Sequence, residues 1–160
     1  MSDDELTPAM RALRDGGVAF EPVRTERPST AEESARLQGV ELAQLLRSII
    51  VRRGADDYVF VLVPGGRQIA WPKLRAYLGV SRLSLPDAEE AKEATGYERG
   101  AITPLGAIAP WPVIVDTAAA DRDLVAIGGG AHGVNVHLDP RELVRFLGAD
   151  VADVTVLEDR

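Results

Sequence analysis

The chain has 160 residues, of which 46% are hydrophobic and 27% are charged, the usage of an ordinary folded protein rather than a disordered or fibrous one. Its net charge of −7 argues against a protein that grips a long nucleic-acid duplex, because such proteins contact phosphates through a basic surface, so any RNA contact is expected to be small and local. The absence of cysteine excludes disulfides, thiolate zinc sites and thiol nucleophiles, and with only two histidines a histidine-rich metal centre is not expected. No metal and no cofactor are predicted.

The length fits one domain with a buried core, so residues 1–160 are expected to form a single domain. The first five residues, MSDDE, are acidic, whereas a secretory signal would be basic and then apolar. The longest apolar run also falls short of a membrane span. The sequence therefore predicts a cytoplasmic protein without a membrane partner.

Capping and periodicity signals predict short alternating elements in the first half of the chain. Thr7 and Pro8 begin a helix that ends at Gly16, and Thr30 with Glu33 has the spacing of a capping box. β-branched and aromatic runs on either side of a turn at 54–57 indicate a hairpin. The predicted order is a helix at 7–16, a strand at 18–24, a helix at 30–39, one or two helical turns at 41–46, and strands at 48–53, 58–63 and 67–71.

In the second half, Pro72 and Asp87 begin helices that end before Gly79 and Gly96. Strands are predicted at 113–116, 124–127 and 134–138, followed by a helix at 139–148 and a final strand at 151–156. The three consecutive strands 48–53, 58–63 and 67–71 are expected to form the centre of the sheet. Hairpins in place of regular βαβ alternation predict a mixed α/β fold, with a mixed, largely antiparallel central sheet surrounded by helices.

A Gly-x-x-x-Pro loop is the first candidate for chemistry. Glycine permits close approach to the backbone and proline directs the chain away, so the loop can leave N–H groups uncommitted to hold a carbonyl or oxyanion. The small, apolar and proline-interrupted residues 101–111 are typical of a pocket wall, although the loop also fits a simple surface turn. Its residues are Gly100, Ala101, Ile102, Thr103 and Pro104.

A glycine cluster is the second candidate. Gly128, Gly129 and Gly130 exceed what a two-residue hairpin turn needs, although such runs also occur in flexible tips. His132 follows them and fits either a turn histidine or a residue that contacts a ligand. Since the cluster leads into a strand, it cannot present a helix N-terminus to a pyrophosphate as a dinucleotide-binding fold does.

Arg47 is the third candidate, because it lies where a helical segment gives way to a strand and can extend a long cation into a cleft. Its guanidinium would hold a phosphate or carbonyl oxygen, or it would be a surface arginine packed along Leu45 and Leu46. Asp116 is predicted to cap a helix and His137 to be structural. No motif of a serine hydrolase, zincin or P-loop protein occurs in the chain.

Five segments in this order resemble the YbaK-like family, the free-standing aminoacyl-tRNA deacylases similar to the editing domain inserted in bacterial prolyl-tRNA synthetases. They are TAEESA at 30–35, LRSIIV at 46–51, VPGGR at 63–67, TGYERGAITPLG at 95–106 and VAIGGG at 125–130. The resemblance covers about residues 6–156, and the Thr-Gly-Tyr to Gly-x-x-x-Pro block is its most specific part.

The resemblance implies hydrolysis of the ester between a wrongly attached small amino acid, of the alanyl, cysteinyl or seryl class, and the terminal ribose of tRNA. It implies the acceptor end of aminoacyl-tRNA as partner, with an aminoacyl-tRNA synthetase to supply tRNA selection, and neither DNA nor a membrane. Arg47 and Gly100 are the candidate catalytic residues. Substrate contacts are expected from Thr30, Ser48, Ala101, Ile102, Thr103, Pro104, Gly128, Gly129, Gly130 and His132.

One position departs from the family pattern. The family carries a lysine at the start of the strand, usually followed by Thr or Ser, whereas this chain carries Arg47 and Ser48. Arginine retains the positive charge, but its fork is larger and it does not exchange a proton near neutral pH. Two hypotheses follow: a deacylase that edits in trans, in which backbone amides orient the carbonyl, or a non-catalytic ligand- or protein-binding module of the same fold.

Overall fold

The computed structural model describes residues 5–158, which form six α-helices, nine β-strands and a 3₁₀ turn at Leu42–Gln44. The helices are α1 (Pro8–Asp15), α2 (Ala31–Gln38), α3 (Trp71–Leu78), α4 (Ala88–Thr95), α5 (Thr117–Ala120) and α6 (Pro140–Leu147). The strands are β1 (Glu21–Arg24), β2 (Leu45–Gly54), β3 (Asp57–Pro64), β4 (Arg67–Ile69), β5 (Val113–Asp116), β6 (Val125–Ala131), β7 (Val134–Leu138), β8 (Asp150–Ala152) and β9 (Thr155–Leu157).

Side-chain caps begin the helices where the sequence predicts them. The oxygens of Thr7, Thr30, Asp87 and Asp139 accept backbone hydrogen bonds at the first turns of α1, α2, α4 and α6. Asp116 caps the short α5, as expected from its position. Within residues 5–158, no helix combines the length and the apolar character that a membrane crossing needs.

Seven strands form one mixed sheet in the order β1-β7-β6-β2-β3-β5-β8. The pairs β1–β7, β7–β6 and β2–β3 are antiparallel, and the pairs β6–β2, β3–β5 and β5–β8 are parallel. The β2–β3 hairpin lies at the centre because β6 and β5 return to its two sides from later in the chain. This arrangement confirms the predicted mixed α/β fold.

The predicted third central strand is wrong. Residues 67–69 form β4, which leaves the main sheet and pairs with β9, because the free side of β3 is taken by β5. Trp71 belongs to α3 rather than to a strand, since Pro72 fixes a helical first turn. The expected final strand at 151–156 is likewise two strands in different sheets, separated where Asp116 Oδ1 accepts from Val154 N at 3.0 Å.

Other boundaries also differ from the prediction. The helical turns expected at 41–46 end at Gln44, because Leu45 and Leu46 already pair with β6. The first strand begins at Glu21 rather than at residue 18. The strand predicted at 124–127 extends to Ala131, so the glycine cluster lies inside β6, with a register shift between Gly128 and Ala131. The hairpin turn itself is residues 132–133.

The main sheet is buried on both faces. Helices α1, α4, α5 and α6 cover one face, where Met10, Leu13, Phe60, Leu62 and Ile127 are in the core. On the other face, α3 and the β4–β9 pair cover a second apolar cluster, and α2 covers Leu45 and Ala126. Every side chain of β2 therefore points towards one of two different environments, depending on its position along the strand.

The sheet splits beside β2, and this split positions the candidate site. The two strands β2 and β6 pair only at Leu45–Ala126 and Leu46–Ile127. Further along, the same edge of β2 meets Ser84, which exchanges two backbone hydrogen bonds with Arg52 at 2.8 and 3.1 Å. A gap remains between these two contacts.

Candidate functional site

A cavity of about 550 Å³ occupies the gap beside β2. Its walls come from the start of α2, the edge of β2, the segment before and into α4, the loop at 99–102, and the β6–β7 hairpin. Of the residues singled out in the sequence, Thr30, Arg47, Ser48, Gly100, Ile102 and Gly128 line it.

The edge of β2 offers backbone hydrogen-bonding groups to this cavity. Gly65 N donates to Leu45 O at 2.8 Å, so the alternate residues after Leu45 direct their backbone groups towards β3. The N–H and C=O groups of Ser48 and Ile50 consequently face the gap. A strand edge of this kind binds groups that can donate and accept in turn, as an ester carbonyl with its neighbouring ammonium does.

Ser48 adds a side-chain hydroxyl to the same wall. The Ser48 side chain lies on the face that carries Leu46 and Ile50, and its Oγ is buried without a hydrogen-bond partner among residues 5–158. Buried hydroxyls are almost always paired with protein or water. The Ser48 Oγ therefore lies beside the cavity with its hydrogen-bonding capacity unused among residues 5–158.

The Gly-x-x-x-Pro loop closes the opposite side. Gly100 has φ 91°, a conformation that favours glycine, and Ala101 N donates to Glu98 O at 2.9 Å. The amides of Gly100 and Ile102 donate no hydrogen bond to any group within residues 5–158. Ala101, Thr103 and Pro104 are buried and do not line the cavity. The loop thus offers the backbone amides of Gly100 and Ile102, while its other three residues are buried.

The remaining glycines and His132 contribute packing around the loop. A Cβ on Gly129 would lie 2.9 Å from Val134, and one on Gly130 would lie 3.1 Å from the Tyr97 ring. The absence of a side chain at both positions therefore leaves room for these neighbours. The His132 ring packs against Gly100, since a Cβ there would lie 2.8 Å from its Cε1. None of the three lines the cavity.

Thr30 borders the cavity, but its hydroxyl has a structural partner. Its Oγ1 accepts from Glu33 N at 3.0 Å and so caps α2. Ser34, one turn further along, also lines the cavity, and its Oγ accepts from Gln38 Nε2 at 2.9 Å. These hydroxyls differ from that of Ser48, which has no such partner.

Arg47 and Ser48 are consecutive on β2 and point to opposite faces of the sheet. The Arg47 guanidinium donates to Arg67 O at 2.5 Å and lies 3.4 Å from Glu158 Oε1, with 44% of its side chain exposed. It therefore lies at the rim of the cavity, on the side of the β4–β9 pair. There it also borders a smaller hollow of about 260 Å³.

Asn135 and Asp87 also line the cavity, and the sequence did not indicate either of them as a site residue. Asn135 lies directly across from Gly128 in the β6–β7 pair, and Asp87 caps α4 by accepting from Glu90 N at 2.8 Å. A polar residue in a strand is too common to be a signal. The hairpin turn at 132–133 could nevertheless have placed Asn135 opposite the glycine cluster.

Two polar networks, one partly buried and the other buried, hold the walls in place. Tyr58 OH donates to Glu90 on α4, and this hydrogen bond, followed by burial, raises the pKa of Tyr58 to about 12. His137 Nε2 lies 2.9 Å from Gln38 Oε1, and burial lowers the pKa of this histidine. The first network fixes α4 and the second fixes α2, the two helices that border the cavity.

Positive charge collects beside the cavity although the chain is acidic. A cleft of about 510 Å³ is bordered by Arg52, Arg53, Arg75 and Arg82. Arg52 pairs with Glu90 at 3.2 Å and Arg53 with Asp57 at 2.9 Å, while Arg75 and Arg82 form no ion pair within residues 5–158. The cleft ends at Leu83 and Ser84, directly before the segment that lines the main cavity.

Comparisons with known proteins identify the class to which this fold belongs. The family model described as "Aminoacyl-tRNA editing domain" matches residues 25–146. The chain therefore belongs to the aminoacyl-tRNA editing domain family.

Individual relatives show how the match is distributed. The proline–tRNA ligase of Thermosipho melanesiensis is 35% identical over 122 residues, which are 74% of this chain and 21% of the ligase. The Enterococcus faecalis protein named "Putative Cys-tRNA(Pro)/Cys-tRNA(Cys) deacylase EbsC" is 21% identical over 96% of both chains. The chain thus spans about a fifth of the ligase and nearly all of EbsC.

A solved structure supports the same assignment. The protein described as "a putative trans-editing enzyme for prolyl tRNA synthetase" superposes with a TM-score of 0.83 and 28% identity, over 97% of this chain and 100% of that one. The structure of hypothetical protein APE2540 gives a TM-score of 0.85 at 27% identity.

Proposed function

We propose that the protein is a trans-editing deacylase that hydrolyses the ester joining a mischarged small amino acid to the terminal ribose of tRNA. The observation that carries this proposal is the cavity beside β2, where the uncommitted amides of Gly100 and Ile102 lie across from the free strand edge at Ser48 and Ile50. Family membership supports an aminoacyl-tRNA substrate. The alanyl, cysteinyl and seryl esters are the proposed candidates.

Backbone amides would carry the main catalytic task. As water adds to the ester carbonyl, negative charge develops on the carbonyl oxygen, and the amides of Gly100 and Ile102 are preorganised to stabilise it. The C–O bond to the ribose then breaks, the amino acid leaves as the carboxylic acid, and the ribose oxygen takes up the proton. No side-chain nucleophile is required, because water is the nucleophile and the adjacent ribose hydroxyl of the substrate would orient it next to the carbonyl.

Side chains would orient the substrate. The Ser48 hydroxyl, which lacks a partner among residues 5–158, would bind a polar group of the amino acid, and Asn135 would face it from β7. Arg47 lies at the rim rather than inside, so its cation would hold the ribose or the terminal phosphate.

The direct test is deacylation of alanyl-, cysteinyl- and seryl-tRNA by the purified protein. At least one ester is expected to be lost well above its rate in buffer, and correctly charged prolyl-tRNA serves as the reference substrate. Rates equal to buffer for all three, from protein with an intact circular dichroism spectrum, would contradict the proposal.

The binding-module hypothesis has one observation in its favour. The Arg47 guanidinium bonds Arg67 O and approaches Glu158, so the cation of this chain is held on the side of the sheet away from Ser48. A protein that retains mischarged tRNA in a filter-binding assay without hydrolysing it would establish this alternative.

A further inference from the structure

We propose that the smaller hollow beside Arg47 binds a nucleobase, namely the terminal adenine of the tRNA whose ester occupies the main cavity. This assignment rests on the proposed function. The hollow, of about 260 Å³, lies on the face of the sheet that carries β4 and α3, and it is separate from the wall formed by Ser48 and the loop at 100–104.

The walls of the hollow are apolar and include an aromatic ring. Trp71, Ile49 and Ile69 form them, and Leu85, which is 58% exposed, closes one side. Proteins bind unstacked bases between aromatic and aliphatic side chains because every base has a π-face and loses water-exposed surface on stacking.

The rim of the hollow is polar in the way that a base requires. Gln68 is exposed on β4, and its amide can donate and accept at once, the pattern that matches the N6 and N7 edge of adenine. Arg47 supplies the cation for the attached ribose phosphate. Neither the Gln68 side chain nor the Trp71 indole N–H makes a hydrogen bond within residues 5–158.

The hollow and the main cavity adjoin each other along the edge of β2. Both are lined by Arg47, Ile49 and Leu85, so a ligand can extend from one to the other past these three side chains. A terminal aminoacyl-adenosine has this shape, since the ribose joins the base on one side to the ester on the other. The base would then lie on Trp71, the ribose beside Arg47 and the ester carbonyl near Gly100.

Tryptophan fluorescence can test this assignment without measuring hydrolysis. The chain has two tryptophans, and Trp111 is partly buried and fixed by a hydrogen bond to Ala94 O at 2.8 Å and an edge contact with Tyr58 at 5.1 Å. A Trp111→Phe variant leaves Trp71 as the single reporter. Titration with adenosine 5′-monophosphate and with the trinucleotide CCA should quench it saturably, and uridine 5′-monophosphate should bind at least fivefold more weakly.

The matched control is Trp71→Phe, whose remaining tryptophan should not respond to any nucleotide. If Trp111→Phe fails to fold, the wild-type chain labelled with 5-fluorotryptophan gives two resolvable ¹⁹F signals, of which only that of Trp71 should shift. A Trp71 signal unchanged by adenine nucleotides, or equal affinity for uridine, would overturn the assignment.

Kinetics separates this proposal from the proposed function. Trp71→Ala and Gln68→Ala should raise KM for the preferred aminoacyl-tRNA, by roughly 5- to 150-fold for loss of the stacking residue, with kcat little changed. Hydrolysis of an alanyl ester that lacks a nucleoside should be unaffected. Deacylation without a Trp71 response would refute the adenine site alone, and a Trp71 response without deacylation would refute only the deacylase.

Discussion

At the residue scale, Ser48 and Arg47 divide the tasks that one segment of β2 can perform. Strand alternation places the Ser48 hydroxyl on the buried face beside the cavity and the Arg47 guanidinium at the cavity rim, next to Arg67 O and Glu158. Replacing Ser48 and replacing Arg47 should consequently change different kinetic constants.

Ser48→Ala should lower kcat/KM roughly 3- to 10-fold, the effect of losing one neutral hydrogen bond to the substrate. Stability should not fall, because the buried hydroxyl has no partner among residues 5–158 to lose. Ser34→Ala is the control, since it removes another hydroxyl from the cavity wall but one that is bonded to Gln38. Deacylation kinetics and thermal unfolding measure both, and equal activity losses in the two variants would contradict a specific role for Ser48.

Arg47→Ala should raise KM for aminoacyl-tRNA, by about 10-fold for a charged hydrogen bond at an accessible position, and should flatten its salt dependence. Arg47→Lys should preserve activity, because it retains the cation and restores the lysine that the family resemblance implies. Measurement of kcat and KM over a salt series decides this. A lower kcat at unchanged KM would place the guanidinium at the reacting carbonyl instead of the rim.

At the element scale, the closeness of β6 to the loop at 100–104 sets the width of the cavity. A Cβ on Gly128 would meet only Ile102 O, at 3.8 Å, which is an ordinary contact. Gly128→Ala should therefore fold and place a methyl group at the cavity wall.

The expected result of Gly128→Ala is a change of selectivity, with seryl and cysteinyl esters losing more activity than the smaller alanyl ester. Gly130→Ala is the contrasting variant. Its φ of 90° predicts a loss of stability of about 1–2 kcal/mol from the backbone alone. The Tyr97 ring, 3.1 Å from the added Cβ, should increase that loss. Uniform loss of activity across the esters in Gly128→Ala would contradict its position in the wall.

The contact between α2 and β7 makes stability depend on pH. Burial lowers the pKa of His137, although Glu21, which lies across from it on β1, acts in the opposite direction. The folded protein thus binds fewer protons than the unfolded chain below the ordinary histidine pKa of about 6.5, so stability should fall as pH drops from 7 to 5.

Thermal unfolding of wild-type protein and of His137→Gln across this range is the measurement. The lowered carboxyl pKa values of Asp139 and Glu142 act only at more acidic pH, so they leave this window clear. The variant should lose most of the slope between pH 5 and 7. A wild-type unfolding midpoint that rises on acidification would show that the charged histidine is the form favoured by the fold.

At the scale of the whole molecule, charge is distributed unevenly. The net charge is −7, yet four arginines border one cleft next to the main cavity, and two of them have no ion pair within residues 5–158. An acidic protein with one local basic cleft fits a short single-stranded or end-of-helix contact rather than a long duplex.

Arg75→Gln with Arg82→Gln should raise KM for aminoacyl-tRNA and reduce the slope of log KM against log salt by about one per arginine. Arg141→Gln is the control, because Arg141 on α6 pairs with Asp139 and borders none of these clefts. Hydrolysis of a small alanyl ester should not change. An unaltered salt slope in the double variant would place the phosphates elsewhere on the surface.

Local signals determined the helices and the hairpin, and the sequence alone was enough to predict them. Caps at Thr7, Thr30, Asp87 and Asp139 act within one helical turn, and the β2–β3 hairpin joins neighbouring segments. The resemblance to a known family was likewise carried by continuous motifs, and the family match over residues 25–146 confirmed it.

Long-range pairing was decided only by the tertiary structure. Whether residues 67–69 stay beside β3 depends on β5, more than 40 residues later, and whether β2 keeps a neighbour depends on how far β6 runs alongside it. Neither choice leaves a mark within a short window of sequence, because it is made by competition between distant segments for one strand edge.

The same division applies to the candidate site. Strand periodicity alone requires Arg47 and Ser48 to point in opposite directions, and the glycine and proline of the loop at 100–104 already indicate an exposed backbone. The tertiary structure decides which face of β2 borders the cavity, because β2 separates from β6 there. It also brings Trp71, Gln68 and Leu85 beside Arg47, because β4 leaves the main sheet. Residues distant in sequence meet there because buried surface is shared between elements, and no local propensity encodes that sharing.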